Sequence, residues 1–261
     1  MEENQAKAEP LGLQDRCTIV VPCYNEARRL PSEKFLEFVH GAHNIDLLFV
    51  NDGSTDNTLE ILERLQRVSG PSVSVLHRPV NGGKSEAVRD GMLRAIQNGQ
   101  SRFVGFWDAD LATPLAAISD LRQKLIEQPR LEMVFGSRVR LLGRHVHRRA
   151  VRHYLGRVFA TVVSLMLRLP IYDTQCGAKI FRVTPALSEV LSQPFISRWV
   201  FDVEIIARFI ALNRRDPQPL HDAIYEFPLE KWEDVAGSKV KPGDFFLAFA
   251  DTFRIQRKYL R

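Results

Sequence analysis

The sequence predicts an α/β protein with a mostly parallel central sheet flanked by helices. Three observations carry that reading: short apolar runs recur through the first half, stretches of helical periodicity separate them, and acid-bearing motifs follow directly after three of the runs. The runs are residues 18–22, 47–51, 74–77, 103–107 and 133–135. Their apolar residues are mostly consecutive rather than alternating, as a strand covered on both faces requires. Between them Leu59, Leu62, Leu65 and Val68 repeat at helical spacing, as do Ala87, Met92, Ala95 and Ile96. Thr113 before Pro114 predicts an N-cap followed by proline at the first helical position.

After residue 137 the pattern changes. Residues 148–169 place Val151, Tyr154, Leu155, Val158, Phe159 and Val162 at i, i+3, i+4 spacing, interrupted by Arg152, Arg157 and Arg168. A second amphipathic helix is expected at 244–260, where Phe245, Phe246, Phe249 and Phe253 precede Arg254, Arg257, Lys258 and Arg261. The longest charge-free run of the first, 158–167, is ten residues, against the roughly 20 that span a bilayer. Both helices are therefore expected to lie on a membrane surface, apolar side among acyl chains and cations among lipid phosphates. The expected organisation is an N-terminal arm at 1–14, one α/β catalytic domain at 15–242 that includes the helix at 148–169, and a C-terminal basic helix at 243–261.

Composition bounds the function classes. At 261 residues there is room for one generous α/β domain with a modest appendage. With 45% hydrophobic and 26% charged residues, wholesale disorder is excluded. Cys17, Cys23 and Cys176 are odd in number and far apart, which fits neither a disulfide framework nor a zinc cluster. With no secretory pattern at the N-terminus, they predict a cytoplasmic, peripherally membrane-associated protein. The net charge is +5, yet residues 137–172 contain eight arginines (138, 140, 144, 148, 149, 152, 157 and 168) and no acid, so the rest of the chain is net negative. Such segregation predicts one local basic surface that faces phosphates.

The chemistry is expected at the carboxyl ends of the strands, where open α/β sheets bind ligands. The first run ends in Pro22-Cys23-Tyr24-Asn25-Glu26, the second in Asn51-Asp52-Gly53-Ser54-Thr55-Asp56, and the fourth in Asp108-Ala109-Asp110. Asp108 and Asp110 flank one small residue, so a tight turn can aim both carboxylates at a divalent ion, Mg²⁺ or Mn²⁺, that joins them to a substrate diphosphate. A solvated turn capping the next helix is the plain alternative. Asp52 is placed to accept a hydrogen bond from a nucleobase or ribose, or to form an Asx turn before the helix near Asp56. Asn81-Gly82-Gly83-Lys84 opens a helix with two glycines and a cation; it lacks the spacing of a P-loop, and Lys84 is as consistent with a helix start as with a phosphate contact. Cys176 has no base near it in sequence and reads as a buried thiol.

Together these motifs resemble family 2 glycosyltransferases with the GT-A fold, and more narrowly the enzymes that transfer glucose or mannose to dolichyl phosphate. Three further segments are similar to the glucosyl branch: Asp173-Thr174-Gln175-Cys176-Gly177, the stretch from Arg198 to Glu204, and residues 232–239. The resemblance implies that Pro22, Tyr24, Glu26 and Asp52 line a nucleotide pocket, that Asp108 and Asp110 serve the metal diphosphate, and that Gln175 and Arg198 border sugar and acceptor. Two positions depart from it. Asn51 stands where the family often has a second aspartate, and Ala112 stands where the mannosyl branch carries a glutamine, which favours glucose over mannose.

The resulting expectation is an inverting, metal-dependent transferase that moves a hexose, glucose before mannose, from UDP-glucose or GDP-mannose to a polyprenyl phosphate. An anionic acceptor needs little help from a general base, so the task is electrostatic. Arg138, Arg148, Arg149 and Arg152 are the candidates to hold the acceptor phosphate, with Arg138 first because it directly follows the fifth run. Two other readings fit the same residues: transfer to a glycan hydroxyl, with Asp202 or Glu204 as base, and a noncatalytic nucleotide or nucleic-acid binding module. The interleaving of arginines with an apolar face favours lipid over nucleic acid.

Overall fold

A computed structural model of the chain describes residues 15–147, 150–213, 220–235 and 242–261. All five apolar runs form strands: β1 (Cys17–Cys23), β2 (Ile45–Asp52), β3 (Val73–Arg78), β4 (Phe103–Trp107) and β5 (Met133–Ser137). Four further strands follow: β6 (His145–His147), β7 (Ala178–Arg182), β8 (Ile224–Pro228) and β9 (Lys231–Glu233). Seven strands make one sheet in the order β3-β2-β1-β4-β7-β5-β8, and β6 pairs with β9 beside it. All pairings in the large sheet are parallel except those of β7, which runs antiparallel to both β4 and β5.

Helices cover both faces. On one side α1 (Ser32–Gly41), α2 (Thr58–Ser69) and α4 (Ala117–Glu127) bury Phe35, Leu62, Leu65, Ile118, Leu121 and Leu125. On the other, α3 (Lys84–Gln97), α5 (Ala150–Leu167), α6 (Pro185–Ser192), α7 (Phe201–Asn213) and α8 (Pro242–Tyr259) pack over Val20, Val50, Val104 and Phe106. Full burial of a large apolar side chain stabilises the fold by about 1.5–3 kcal/mol, and the consecutive apolar runs place such residues on both faces at once.

The chain winds outward from β1 through β2 to β3, then returns to place β4 on the other side of β1. The crevice outside the carboxyl ends of β1 and β4 is therefore the topological switch point, the usual ligand position in open α/β sheets.

Two local expectations change. Helix α4 begins at Ala117 rather than Pro114, because residues 114–116 form a turn in which Ala117 donates to the Pro114 carbonyl at 3.1 Å. Thr113 does not cap that helix; its carbonyl accepts the Trp107 indole N–H at 2.8 Å. The two amphipathic segments do form helices, α5 and α8, within two residues of the expected bounds. Their inner faces bury Phe159, Val163, Ala248 and Ile255, with the Phe159 and Phe249 rings 5.3 Å apart, while Val158, Leu165, Leu247 and Phe253 are exposed. Among the described residues no helix is long and apolar enough to cross a membrane.

Candidate active site

The loops after β1 and β2 are stitched together. Asn25 adopts a left-handed backbone (φ 50°); its side-chain Oδ1 accepts from Thr55 N at 2.8 Å while its backbone N–H donates to Ser54 Oγ at 3.0 Å. Glu26 is buried, its amide donating to Thr58 Oγ1 at 2.8 Å and its carboxylate pairing with Arg29 at 2.6 Å. Pro22 is half-buried and Tyr24 is exposed at the mouth. Of the two roles the Asp52 motif offered, Asp56 takes the local one, accepting from Thr58 N at 3.0 Å at the start of α2.

Asp52 itself is buried and turned toward the loop after β3. It accepts from Gly82 N at 3.0 Å and Gly83 N at 2.8 Å, and pairs with Arg78, which also reaches Asp90 at 2.8 Å. Its carboxylate thus holds the Gly82-Gly83 turn in place, and Gly83 has a φ of 89° that a side chain would resist. Arg198, an exposed residue, lies across Gly83: a β-carbon there would sit 3.4 Å from Arg198 Cδ. Neighbouring Asn51 donates from Nδ2 to His77 Nδ1 at 2.9 Å, and its buried side-chain oxygen has no hydrogen-bond partner among the described residues.

Lys84, at the first position of α3, reaches Asp108 with Nζ 2.5 Å from Oδ1. Burial opposes its charge, but Asp108 and then Asp202 outweigh that and raise its pKa. Asp110 accepts from Ala112 N at 3.1 Å, and burial, followed by repulsion from Asp108, holds its carboxyl above the ordinary aspartate range. Arg29 feels both aspartates as well. Glu26–Arg29, Lys84, Asp108, Asp110 and Asp202 therefore share one electrostatic neighbourhood, assembled from two loops and the starts of two helices.

The donor set fits a hard divalent cation. Two carboxylates repel each other across a space with no room for a side chain behind it: a β-carbon at Gly177 would overlap the Asp108 carboxylate, and Asp108 N donates to Gly177 O at 3.0 Å. Among the described residues no group of three or more His, Cys, Asp or Glu forms a self-sufficient metal centre. A cation bound here would need its remaining oxygens from a ligand, as Mg²⁺-type ions bound through one or two carboxylates and substrate phosphates do.

The Asp173–Gly177 turn forms the next wall. Asp173 pairs bidentately with Arg138, 2.5 Å from Nε and 2.7 Å from Nη2, and both side chains are largely buried (7% and 14% exposed). Arg138 also stacks 5.3 Å from the Trp232 ring. The leading arginine candidate thus lies beside the site with its guanidinium engaged by Asp173. Gln175 is half-buried, with its Nε2 buried and without a partner among the described residues. Arg148 and Arg149 lie outside the described residues, as does the side chain of Arg152. Burial pushes the Cys176 thiol up to about 11, which agrees with an inert cysteine.

Glu204, one of two candidate bases, is completely buried, bonded to Arg208 at 2.7 Å, Ile196 N at 2.8 Å and Tyr259 Oη at 3.3 Å. That saturation leaves it no substrate proton to take. Asp202 instead joins the site through Lys179, a fully buried residue of β7 that sequence reading overlooked. No pattern marked Lys179: two of its partners are carbonyls of the turn just before it, and the third, Asp202, lies in α7, a separate helix.

Residues 18–187 match the family described as Glycosyl transferase family 2. The chain is 31% identical over 258 residues to a dolichyl-phosphate beta-glucosyltransferase of Dictyostelium discoideum, covering 93% of this chain and 74% of the relative. It is 30% identical to the Homo sapiens protein of that name, covering 93% and 75%, and 30% identical to one from Trichomonas vaginalis, covering 86% of this chain and 66% of the relative. Among solved structures, glucosyl-3-phosphoglycerate synthase from Mycobacterium tuberculosis, in complex with Mn²⁺, UDP-glucose and phosphoglyceric acid, superposes with a TM-score of 0.65 at 19% identity, covering 94% of this chain and 80% of the other. Sequence match, sheet order and the acidic crevice at the switch point agree: the chain belongs to glycosyltransferase family 2 and has the GT-A fold.

Proposed function

We propose that the protein transfers glucose from UDP-glucose to dolichyl phosphate or a related polyprenyl phosphate, with inversion at the anomeric carbon. The observation that carries this reading is the convergence of Asp108 and Asp110 with Lys84, in a chain whose relatives across most of its length are named dolichyl-phosphate beta-glucosyltransferases.

In this reading Tyr24, Glu26 and the loop held by Asp52 receive the nucleotide. Asp108 and Asp110 hold Mg²⁺ or Mn²⁺, which when bound neutralises charge on the departing diphosphate. Lys84 lies close enough to support the same charge, and Arg198, across Gly83, borders the sugar with Gln175. The acceptor phosphate is already anionic, so its oxygen attacks without surrendering a proton, and the protein's work is to hold two anions together. Arg148, Arg149 and Arg152 supply the acceptor's counter-charge, while Arg138, clamped by Asp173, shapes the wall behind it. The exposed Val158, Leu165, Leu247 and Phe253 of α5 and α8 rest against the lipid surface that presents the acceptor, on the cytoplasmic side.

The test is to incubate the purified protein with Mn²⁺, dolichyl phosphate and, separately, UDP-glucose, GDP-mannose and other nucleotide sugars. UDP release with formation of a β-glucosyl lipid is expected. Turnover of GDP-mannose instead, or of UDP-glucose onto a glycan hydroxyl but not the lipid, overturns it.

A further inference from the structure

The geometry points to Lys179 as a positioning residue that fixes the metal-side and sugar-side walls of the site relative to each other. This rests on the transfer reaction proposed above.

Lys179 is 0% exposed, in the middle of the large sheet, with its ammonium 5.5 Å from the centres of both the Phe106 and Phe135 rings. Removing an ammonium from water is costly, and a buried one persists only when it is hydrogen-bonded and its charge is paired. Here it is both: Nζ donates to Thr174 O at 3.0 Å and Cys176 O at 2.5 Å, and its charge is paired with Asp202, whose Oδ1 lies 2.7 Å away without the alignment of a hydrogen bond. Those partners belong to two different walls. The two carbonyls belong to the turn that carries Gln175 and ends in Gly177, the residue that backs Asp108. Asp202 lies in the first turn of α7, four residues after Arg198, which crosses Gly83. Asp202 also acts on Lys84, the partner of Asp108.

A plain ion pair of this kind is replaceable by apolar groups with little loss of stability. What an apolar replacement cannot do is hold the carbonyls of Thr174 and Cys176, and that hold sets where Gly177 presses on Asp108. Displacing reacting groups by about 1 Å costs about 100-fold in rate.

The experiment compares three full-length proteins: wild type, K179M/D202N and K179Q/D202N. Both variants remove the two charges together, so neither leaves a lone buried ion, and only the glutamine retains a donor for the turn carbonyls. With UDP-glucose, Mn²⁺ and dolichyl phosphate, K179M/D202N is expected to lose about 100-fold in kcat with the UDP-glucose KM within about threefold of wild type. K179Q/D202N should recover at least about tenfold of that loss at a similar melting temperature. Equal kcat in the two variants, kcat at the wild-type level in the methionine variant, or a loss confined to the donor KM overturns the positioning role. An inactive wild type in the same assay overturns the transfer reading instead, so the two failures are distinguishable.

Discussion

Gly177 lies directly behind the Asp108 carboxylate, so close that a β-carbon at 177 would overlap it. The backbone enforces the contact, since Asp108 N donates to the Gly177 carbonyl at 3.0 Å where β4 meets the turn before β7.

A methyl group at this position must therefore push Asp108 aside. G177A is expected to fold, to lose about 100-fold in kcat and to need more Mn²⁺ for half-maximal rate. Steady-state kinetics across a Mn²⁺ series checks this; unchanged metal dependence would show that Asp108 is not confined as described.

Asp110 links metal binding to pH. Burial and then Asp108 hold its folded-state pKa above its unfolded value of 3.8, so its proton is bound more tightly in the folded chain. The metal-free fold therefore gains stability as pH falls through the raised value toward 3.8, and carries the cost of the ionised form above that window. D110N should flatten this dependence and leave the metal-free protein at least as stable as wild type near about pH 7 while abolishing transfer. Melting curves between about pH 4 and pH 8 provide the check, and a D110N profile that keeps the wild-type slope contradicts the assignment.

The Arg138–Asp173 pair is largely buried and bidentate. Removing one partner leaves the other charge stranded, at a cost of about 3–5 kcal/mol. D173N is therefore expected to lower the urea midpoint strongly, and R138M/D173N to recover much of the loss. Equal midpoints for D173N and wild type would place Arg138's main partner elsewhere.

The acceptor side is tested on arginines away from that pair. R148E/R149E/R152E should raise the KM for dolichyl phosphate by at least about tenfold and weaken sedimentation with anionic vesicles. UDP-glucose binding, read by calorimetry, should not change. Retained transfer to lipid phosphate at wild-type efficiency removes these residues from the acceptor site.

How much was legible in the sequence follows from how local each signal is. Strands β1, β2, β4 and β5 were legible because consecutive apolar residues are a local consequence of burial on both faces, whereas β3, expected to be buried as well, lies at the sheet edge with Ser74 and His77 exposed. Strand β7 was not, since Ala178–Arg182 carries Lys179 and Arg182, and only insertion between β4 and β5 makes a strand of it.

The sequence by itself determined the family, the α/β class and the identity of the acidic motifs, because each motif follows its own strand and needs no distant partner to be recognised. Tertiary structure decided which charges meet. It turned Asp52 onto Gly82 and Gly83, gave Arg138 to Asp173, sealed Glu204 with Arg208, and placed Lys179 between a turn and a helix start. The reason is physical: a strand pattern is set by neighbours a few residues away, whereas an ion pair in a dry interior depends on which segments the sheet order brings within about 3 Å of each other.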